Sequence, residues 1–217
     1  MEEHGKSNDQ DEIETLKHAF SCHKPQVTSV KKPANAAVLI PLIELPDGLH
    51  VVFEVRGQNV SQPGDVSFPG GHVEQGESFQ QAAIRETCEE LGISEDYITV
   101  LGPCDMLYTS SGCEVRSFAG VLSTNCSLND FDHDEVAEVF TVPLEFFLHT
   151  EAATYQVELR ESPVEPFPYH LIAGGRNYQW HHSTRTILFY QFEDRIIWGL
   201  TADLVHRFAS IINNSSC

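Results

Sequence analysis

The segment from Gly70 to Ile93 leaves the chain few options. It reads Gly70-Gly71-His-Val-Glu-Gln-Gly-Glu77, a turn-forming stretch, then a run with helical spacing that ends at Leu91-Gly92-Ile93. Ser78 followed by Gln81 has the form of a capping box, so the spacing predicts a helix from about Phe79. Gly92 is its natural C-terminal stop. At about 100° per residue, Ala83, Ile84, Thr87, Cys88 and Leu91 share one broad face that can pack on a core. Glu86, Glu89 and Glu90 fall on another face as i, i+3 and i+4 neighbours. Like charges so placed repel, and repel more when shielded from water. A hard divalent cation, Mg²⁺ or Mn²⁺, removes the conflict, because it takes carboxylate oxygens and keeps positions for water and substrate phosphates. Glu77 and Arg85 offer a balancing ion pair that ties the loop to the helix. Three glutamates alone read first as a solvated acidic face; the glycine loop at its fixed distance reverses that in favour of the metal site.

Gly71, Glu77 and Arg85-Glu86-Thr87-Cys88-Glu89-Glu90-Leu91-Gly92-Ile93 together resemble the Nudix box. Thr87 departs from the family pattern, which usually has an aliphatic residue there. The resemblance implies that Glu86, Glu89 and Glu90 bind the metals, that the Gly70 carbonyl adds a ligand, and that Glu77 and Arg85 orient the site. Ahead of the box, Gly64-Asp-Val-Ser-Phe68-Pro69-Gly70-Gly71 resembles an element of the coenzyme A diphosphatase subfamily. Phe-Glu-Val-Arg56 and Gln62-Pro63-Gly64 are similar to that subfamily too, as is the later string Ile-Trp198-Gly-Leu-Thr-Ala. The subfamily usually carries an arginine three or four residues before the first glycine of this element, where this chain has Val60 and Ser61. Arg56 and Arg116 are the candidates to replace it, and with Phe68 they are the candidate substrate-binding residues. Farther on, Asp134-Glu135-Val136 and its continuation resemble the acidic segment that leads into a strand in many Nudix enzymes. Glu135 is therefore a candidate metal partner or general base, with a solvated loop acid as the alternative.

The fold so implied is α/β: a Nudix α/β/α sandwich with a mixed curved β-sheet between helices. The activity implied is hydrolysis of the diphosphate bond of coenzyme A or acyl-CoA, giving 3′,5′-ADP and (acyl-)4′-phosphopantetheine. Metals offset charge on the diphosphate and acidify the attacking water, and a carboxylate from Glu86, Glu89 or Glu135 accepts its proton. The alternatives are a Nudix diphosphatase for ADP-ribose, NADH or a nucleoside triphosphate, and a non-catalytic module that senses a nucleotide.

Composition sets bounds on this. A chain of 217 residues, 41% hydrophobic, suffices for one domain with its own core. The expected division is a tail and amphipathic helix over 1–32 and the Nudix domain over 33–217. The formal net charge of −19 argues against nucleic acid or an anionic membrane as partner. A phosphate-bearing substrate then needs metal ions and local arginines to enter. No apolar run approaches the ~18 residues of a membrane span. The N-terminus is acidic and polar, unlike a signal peptide. The six cysteines show no C-x-x-C spacing, which points to reduced thiols in a cytoplasmic protein.

Residues 1–10 should be loose, followed by a helix over about 10–22 whose Ile13, Leu16, Ala19 and Phe20 recur at helical spacing. It is a candidate subunit contact for a homodimer. Residues 35–56 read as a hairpin turning at Pro46-Asp47-Gly48, with a loop over 57–69. Strands are expected over 97–107 and 114–122, joined by Tyr108-Thr-Ser-Ser-Gly112, whose hydroxyls either line a pocket or only make the turn. A short helix over 143–149, strands over 155–159, 186–192 and 196–198, and a final helix capped by Thr201 complete the chain, with Trp198 and Leu200 in the core.

Overall fold

The computed structural model describes residues 6–22 and 34–215. The chain divides into two compact units, Met1–Pro33 and Ala34–Cys217. In the first, α1 spans Lys6–Cys22, so the helix begins earlier than its apolar spacing suggests and takes in part of the stretch expected to be loose. Ile13, Leu16 and Phe20 are exposed on it.

The second unit follows the sequence pattern closely. Its elements are β1 (Asn35–Leu45), β2 (Gly48–Arg56), β3 (Val66–Ser67), β4 (Gly70–His72), α2 (Phe79–Leu91), β5 (Ile98–Tyr108), β6 (Glu114–Leu122) and β7 (Val136–Pro143). Then come α3 (Leu144–His149), β8 (Ala153–Arg160), β9 (His182–Phe192), β10 (Arg195–Trp198) and α4 (Gly199–Asn214). β1 and β2 form the expected hairpin, with Leu42 opposite Val51 and Leu45 opposite Gly48. β1 runs parallel to β6, which pairs antiparallel with β5, so the sheet is mixed.

One irregularity in this sheet sets up the site. Near the turn β1 pairs with β2, but at its other end it pairs instead with β4, through Ala36–His72, Ala37–Gly71 and Val38–Gly70. β2 pairs at its far end with β3, through Glu54–Ser67 and Val55–Val66. The two long strands therefore splay apart, and the Phe68-Pro69-Gly70-Gly71 run fills the gap. Leu39 N–H donates to the Pro69 carbonyl at 3.0 Å and pins the run there. A β-carbon on Gly70 would strike the Ala37 carbonyl and the Val38 backbone, so only glycine fits in the splay.

Helices cover both faces of the sheet. α2 lays Ala82 and Ala83 on Ala37, Leu39 and Phe118, and its end packs Leu91 with Ile43, Val52 and Leu122. On the opposite face, Leu204, Val205 and Phe208 of α4 and Phe147 of α3 pack on Ile40, Leu42, Val51 and Phe53. This is the α/β/α sandwich with a mixed sheet. A second sheet, β10-β9-β8, adds Tyr190 and Ile197 to the same core.

α2 begins and ends where its caps place it. Ser78 and Gln81 form the reciprocal capping box, and Gly92 takes the left-handed conformation at the C-cap. Its inward arc differs from expectation: Ala82, Ala83, Thr87, Glu90 and Leu91 are buried, while Ile84 and Cys88 are only half-buried. Thr87 is tolerated there because its hydroxyl donates to the Ala83 carbonyl at 2.7 Å. Thr201 is not the cap of α4, which starts at Gly199; its hydroxyl donates instead to the Val66 carbonyl at 2.8 Å and ties α4 to β3. Trp198 is not a core residue either. It is 40% exposed, because the alternation that buries Ile197 turns Trp198 outward. Among the described residues Cys88, Cys104, Cys113 and Cys126 are free thiols, and no helix is long and apolar enough to cross a membrane.

Candidate active site

Two adjoining cavities open at the splay. The smaller, about 230 Å³, is lined by Arg56, Val60, Gly70, Gly71, His72, Glu86, Glu90 and Glu135. The larger, about 470 Å³, shares Arg56, Gly70 and Gly71 with it and runs along the opposite face of β1. Together they form one cleft with its carboxylates at one end.

The helix builds that acidic end. Glu90 belongs to the inward arc of α2 and is only 7% exposed. Its carboxylate accepts the Gly70 N–H at 2.7 Å, which joins the helix to the glycine turn. Glu86, one turn earlier, is half-buried directly against Gly71; a β-carbon at Gly71 would fall on its carboxylate. Burial and the neighbouring carboxylates push Glu90 up to about 9, and burial raises Glu86 as well.

Arg85 is the charge centre at the rim. It donates to both Glu77 oxygens, at 3.0 and 3.2 Å, to Glu89 at 3.0 Å and to the His72 carbonyl at 3.1 Å, and it pairs with Glu86 at 3.0 Å. The hydrogen bonds from Arg85 hold Glu77 below the usual carboxylate range. These contacts fasten the loop to the helix.

The three glutamates of the helix do not act as one set. Glu86 and Glu90 enter the small cavity with Glu135, whereas the Glu89 side chain is 60% exposed and turned to Arg85. Among the described residues, no group of three or more His, Cys, Asp or Glu side chains already stands in metal-binding geometry. The reason is angular: Glu89 sits on the Arg85 side of the arc, and the guanidinium is the nearest positive charge.

Sequence reasoning missed a further carboxylate. Glu54 on β2 is 1% exposed, with one oxygen accepting from the Ser67 hydroxyl at 2.8 Å and the other left without a partner. Burial raises its pKa, and the fields of Glu86 and Glu135 add to this. The signal was available: a glutamate within Val51-Val52-Phe53-Glu54-Val55, on the inward side of a strand covered on both faces.

This donor set fits a hard divalent cation. It offers buried carboxylates that repel one another, an orphaned carboxylate oxygen next to them, and a glycine turn close enough to lend its carbonyl.

The candidate substrate residues divide. Arg56 lines both cavities. Its Nε donates to the Ser61 carbonyl at 2.7 Å and its terminal nitrogen to the Ser61 hydroxyl at 3.3 Å, so the guanidinium lies against Val60-Ser61. The Phe68 ring is buried and stacks on Phe53 at 4.8 Å, forming a wall of the larger cavity from within the core. Arg116 does not reach the cleft. It lies on the α2 side of the sheet, over the Phe79 ring at 4.1 Å and paired with Glu114 at 2.7 Å. Its register explains this: Arg116 pairs with Ala37, whose side chain faces α2, while Val115 turns to the cavity. Thr109 and Ser111 do line the cavity, as does Arg185, which sequence reasoning overlooked. Arg185 is held by Asp203 at 3.4 Å.

Known proteins are similar to this chain in sequence. The family model for the NUDIX domain matches residues 33–161. A Nudix hydrolase of Photorhabdus laumondii, NudL, is 31% identical over 176 residues, spanning 81% of this chain and 83% of that protein. The mouse peroxisomal coenzyme A diphosphatase is 33% identical over 128 residues, spanning 58% of this chain and 53% of that protein. Among solved structures, a diadenosine tetraphosphate (Ap4A) hydrolase from C. elegans is similar, with 27% identity, a TM-score of 0.45, and 51% of this chain and 80% of that one covered. Members of the family in general require divalent ions such as Mg²⁺ or Mn²⁺ and act on small nucleotide substrates. The family match extends over more than half of the chain and contains the glycine turn, α2 and Glu135; this protein belongs to the Nudix family of hydrolases.

Proposed function

We propose that the protein hydrolyses the diphosphate bond of coenzyme A or acyl-CoA, releasing 3′,5′-ADP and (acyl-)4′-phosphopantetheine. The observation that carries this reading is the Phe68-Pro69-Gly70-Gly71 run wedged between β1 and β2, with Arg56 folded against Ser61 beside it. The run resembles the coenzyme A diphosphatase element, and Arg56 brings a cation to the two positions where that element's arginine is missing. The similarity to the mouse enzyme supports the same substrate class.

In this reading the diphosphate lies between the carboxylates and Arg56. Glu86, Glu90 and the Gly70 carbonyl would hold the divalent ions, and Glu89, paired with Arg85 at 3.0 Å, would be the further carboxylate of the set. When bound, such ions draw charge from the diphosphate oxygens and lower the pKa of nearby water. Arg56 takes a phosphate oxygen, and Arg85 with Glu77 keeps the glycine turn in register with α2. Glu135 or Glu86 receives the proton of the attacking water, the P–O anhydride bond breaks, and the second phosphate departs. Thr109, Ser111 and Arg185 offer polar contacts to the rest of the substrate.

The test is an incubation with Mg²⁺ or Mn²⁺ and CoA, acyl-CoA, ADP-ribose, NADH and nucleoside triphosphates, with products identified by mass. The expected products are 3′,5′-ADP and phosphopantetheine. Cleavage of ADP-ribose without cleavage of CoA would overturn the reading, and no cleavage with any metal would favour a nucleotide-sensing module.

A further inference from the structure

Glu54 is the most deeply buried carboxylate among the described residues, at 1% exposed. One oxygen accepts the Ser67 hydroxyl at 2.8 Å, and the other has no partner. Its place follows from the register. β2 is paired on both sides at this point, with Glu54 opposite Ser67 of β3 and Val139 of β7, so its backbone is fixed within the sheet. Alternation then sets the direction of the side chain. Phe53 stacks on Phe68 and enters the core on the α4 side, whereas Val52 packs with Leu91 of α2. Glu54 shares the side of Val52 and points beneath α2, where Glu90 is the buried carboxylate.

Glu54 and Glu90 are tied to the same piece of chain. Ser67 donates to Glu54 and the Gly70 N–H donates to Glu90, both from the run that fills the splay. Of the neighbouring carboxylates, Glu54 is also the one whose charge acts most strongly on Glu90, ahead of Glu86 and Glu135. The contact with β3 does not account for that charge. A neutral glutamine would accept the Ser67 hydroxyl as well, without placing an ionisable oxygen in the interior. Among the described residues no cation pairs with the free oxygen; Arg56, two residues on, gives its guanidinium to Ser61. A buried carboxylate oxygen without a partner, beside two further carboxylates, has the chemistry of a ligand to a hard cation.

Resting on the metal assignment to Glu86 and Glu90 above, and independently of which nucleotide is cleaved, we infer that Glu54 is a further ligand of the divalent-cation site. β2 supplies its free oxygen to the ion held by Glu86 and Glu90, so the ion joins the sheet to α2. No three of these side chains stand in ready metal-binding geometry, and that holds for Glu86 and Glu90 as much as for Glu54.

Calorimetric titration with Mn²⁺ on the full chain, without substrate, compares Glu54→Gln with wild type. Affinity should fall about tenfold or more, since loss of even an outer partner of a metal ligand has an effect of that size. The metal-free melting temperature should hold or rise, because the amide keeps the Ser67 hydrogen bond and removes the unpartnered charge. Ser67→Ala does the opposite, losing the contact and keeping the charge, and should weaken Mn²⁺ binding less than Glu54→Gln does. A role confined to the fold gives a lower metal-free melting temperature for Glu54→Gln with unchanged affinity, and that result overturns the inference. So does a wild-type crystal soaked in Mn²⁺ whose anomalous peaks lie at Glu86 and Glu90 with neither Glu54 oxygen within the ~2.5 Å of a bonded ion. The soaked crystal decides the matter whether or not the variants fold. Glu90→Gln separates the two levels. If it weakens Mn²⁺ binding and Glu54→Gln does not, only the role of Glu54 fails; if neither weakens it, the metal assignment fails as well.

Discussion

The acidic site and the second sheet are built in opposite ways. At the acidic end, Gly70 to Leu91 is a short stretch of chain in which Arg85 gathers Glu77, Glu86 and Glu89, and the capping box fixes where the helix begins. In the second sheet, β8 and β9 meet through register between residues about thirty positions apart, as Gln156 does with Thr186. Here the apolar side chains face outward. Local spacing therefore organises the glutamates around Arg85, while distant pairing organises the second sheet. The acidic site should be intolerant of small changes, and the outer face of the second sheet should tolerate them in stability.

The strongest way to break this contrast lies in the buried carboxylates. Glu90→Gln keeps an acceptor for the Gly70 N–H and removes the charge. Turnover should fall on the order of 10³-fold, the size expected when one electrostatic contact to the reacting centre is lost. The melting temperature of the metal-free protein should hold or rise, because an amide need not be kept protonated in that pocket. Single-turnover kinetics and a thermal melt check the two halves, and retained turnover would remove Glu90 from the metal assignment.

Gly71→Ala tests the same end by shape alone. Its new β-carbon would collide with the Glu86 carboxylate, 2.7 Å from Oε2, and the carboxylate must move. A loss of about 1–3 kcal/mol is expected, as in other overpacked sites, together with weaker metal binding. Calorimetric titration with Mn²⁺ reads the second effect. Unchanged affinity would mean that Glu86 does not need its position against the turn.

The pH dependence follows from the same crowding. Glu90 is raised to about 9 from an ordinary carboxyl value of 4.5, and Glu54 is raised beside it. Between those values the folded state holds protons that the unfolded state has released, so metal-free stability falls as pH rises from about 4.5 toward 9. Divalent ions compete with the protons and gain as pH rises. The melting-temperature increment from saturating Mn²⁺ should therefore be larger at pH 8.5 than at pH 5.5. An increment that shrinks over that range would contradict the crowded-carboxylate account.

The same contrast governs how much could be read from the sequence. Ser78, Gln81 and Gly92 gave the helix its limits because caps act within a few residues. The hairpin at Asp47-Gly48 was legible for the same reason. The splay of β1 from β2 was not, since nothing local says that β3 and β4 will fill the gap. Arg116 was misplaced because only the parallel register with β1 decides which face it takes. Trp198 was expected in the core, but the alternation that buries Ile197 turns it outward. Glu54 and Arg185 sit on strands whose neighbours come from distant segments, so their place in the site waits on the fold. Glu135, in contrast, was found by resemblance and stands in the small cavity, where Gly57 N–H reaches its carbonyl at 2.7 Å.

The finest test uses one substitution in both regions. Val52 and Val157 are each strand valines, and Val→Thr keeps the branched shape while adding a hydroxyl. Val52 is fully buried beneath α2 with Leu91, Ile43 and Leu122 around it. A hydroxyl placed among those side chains has no partner, so Val52→Thr should cost about 1–3 kcal/mol. Val157 lies on the outer face of β8, opposite Arg185 and 42% exposed, where water meets the hydroxyl and the β-branched backbone preference is retained. Val157→Thr should stay within about 0.5 kcal/mol of wild type. Urea melts of the two variants, compared at equal m-value, measure the difference. If Val157→Thr costs as much as Val52→Thr, the outer face is covered in the folded protein. If it costs almost nothing, the apolar surface contributes little to holding the fold.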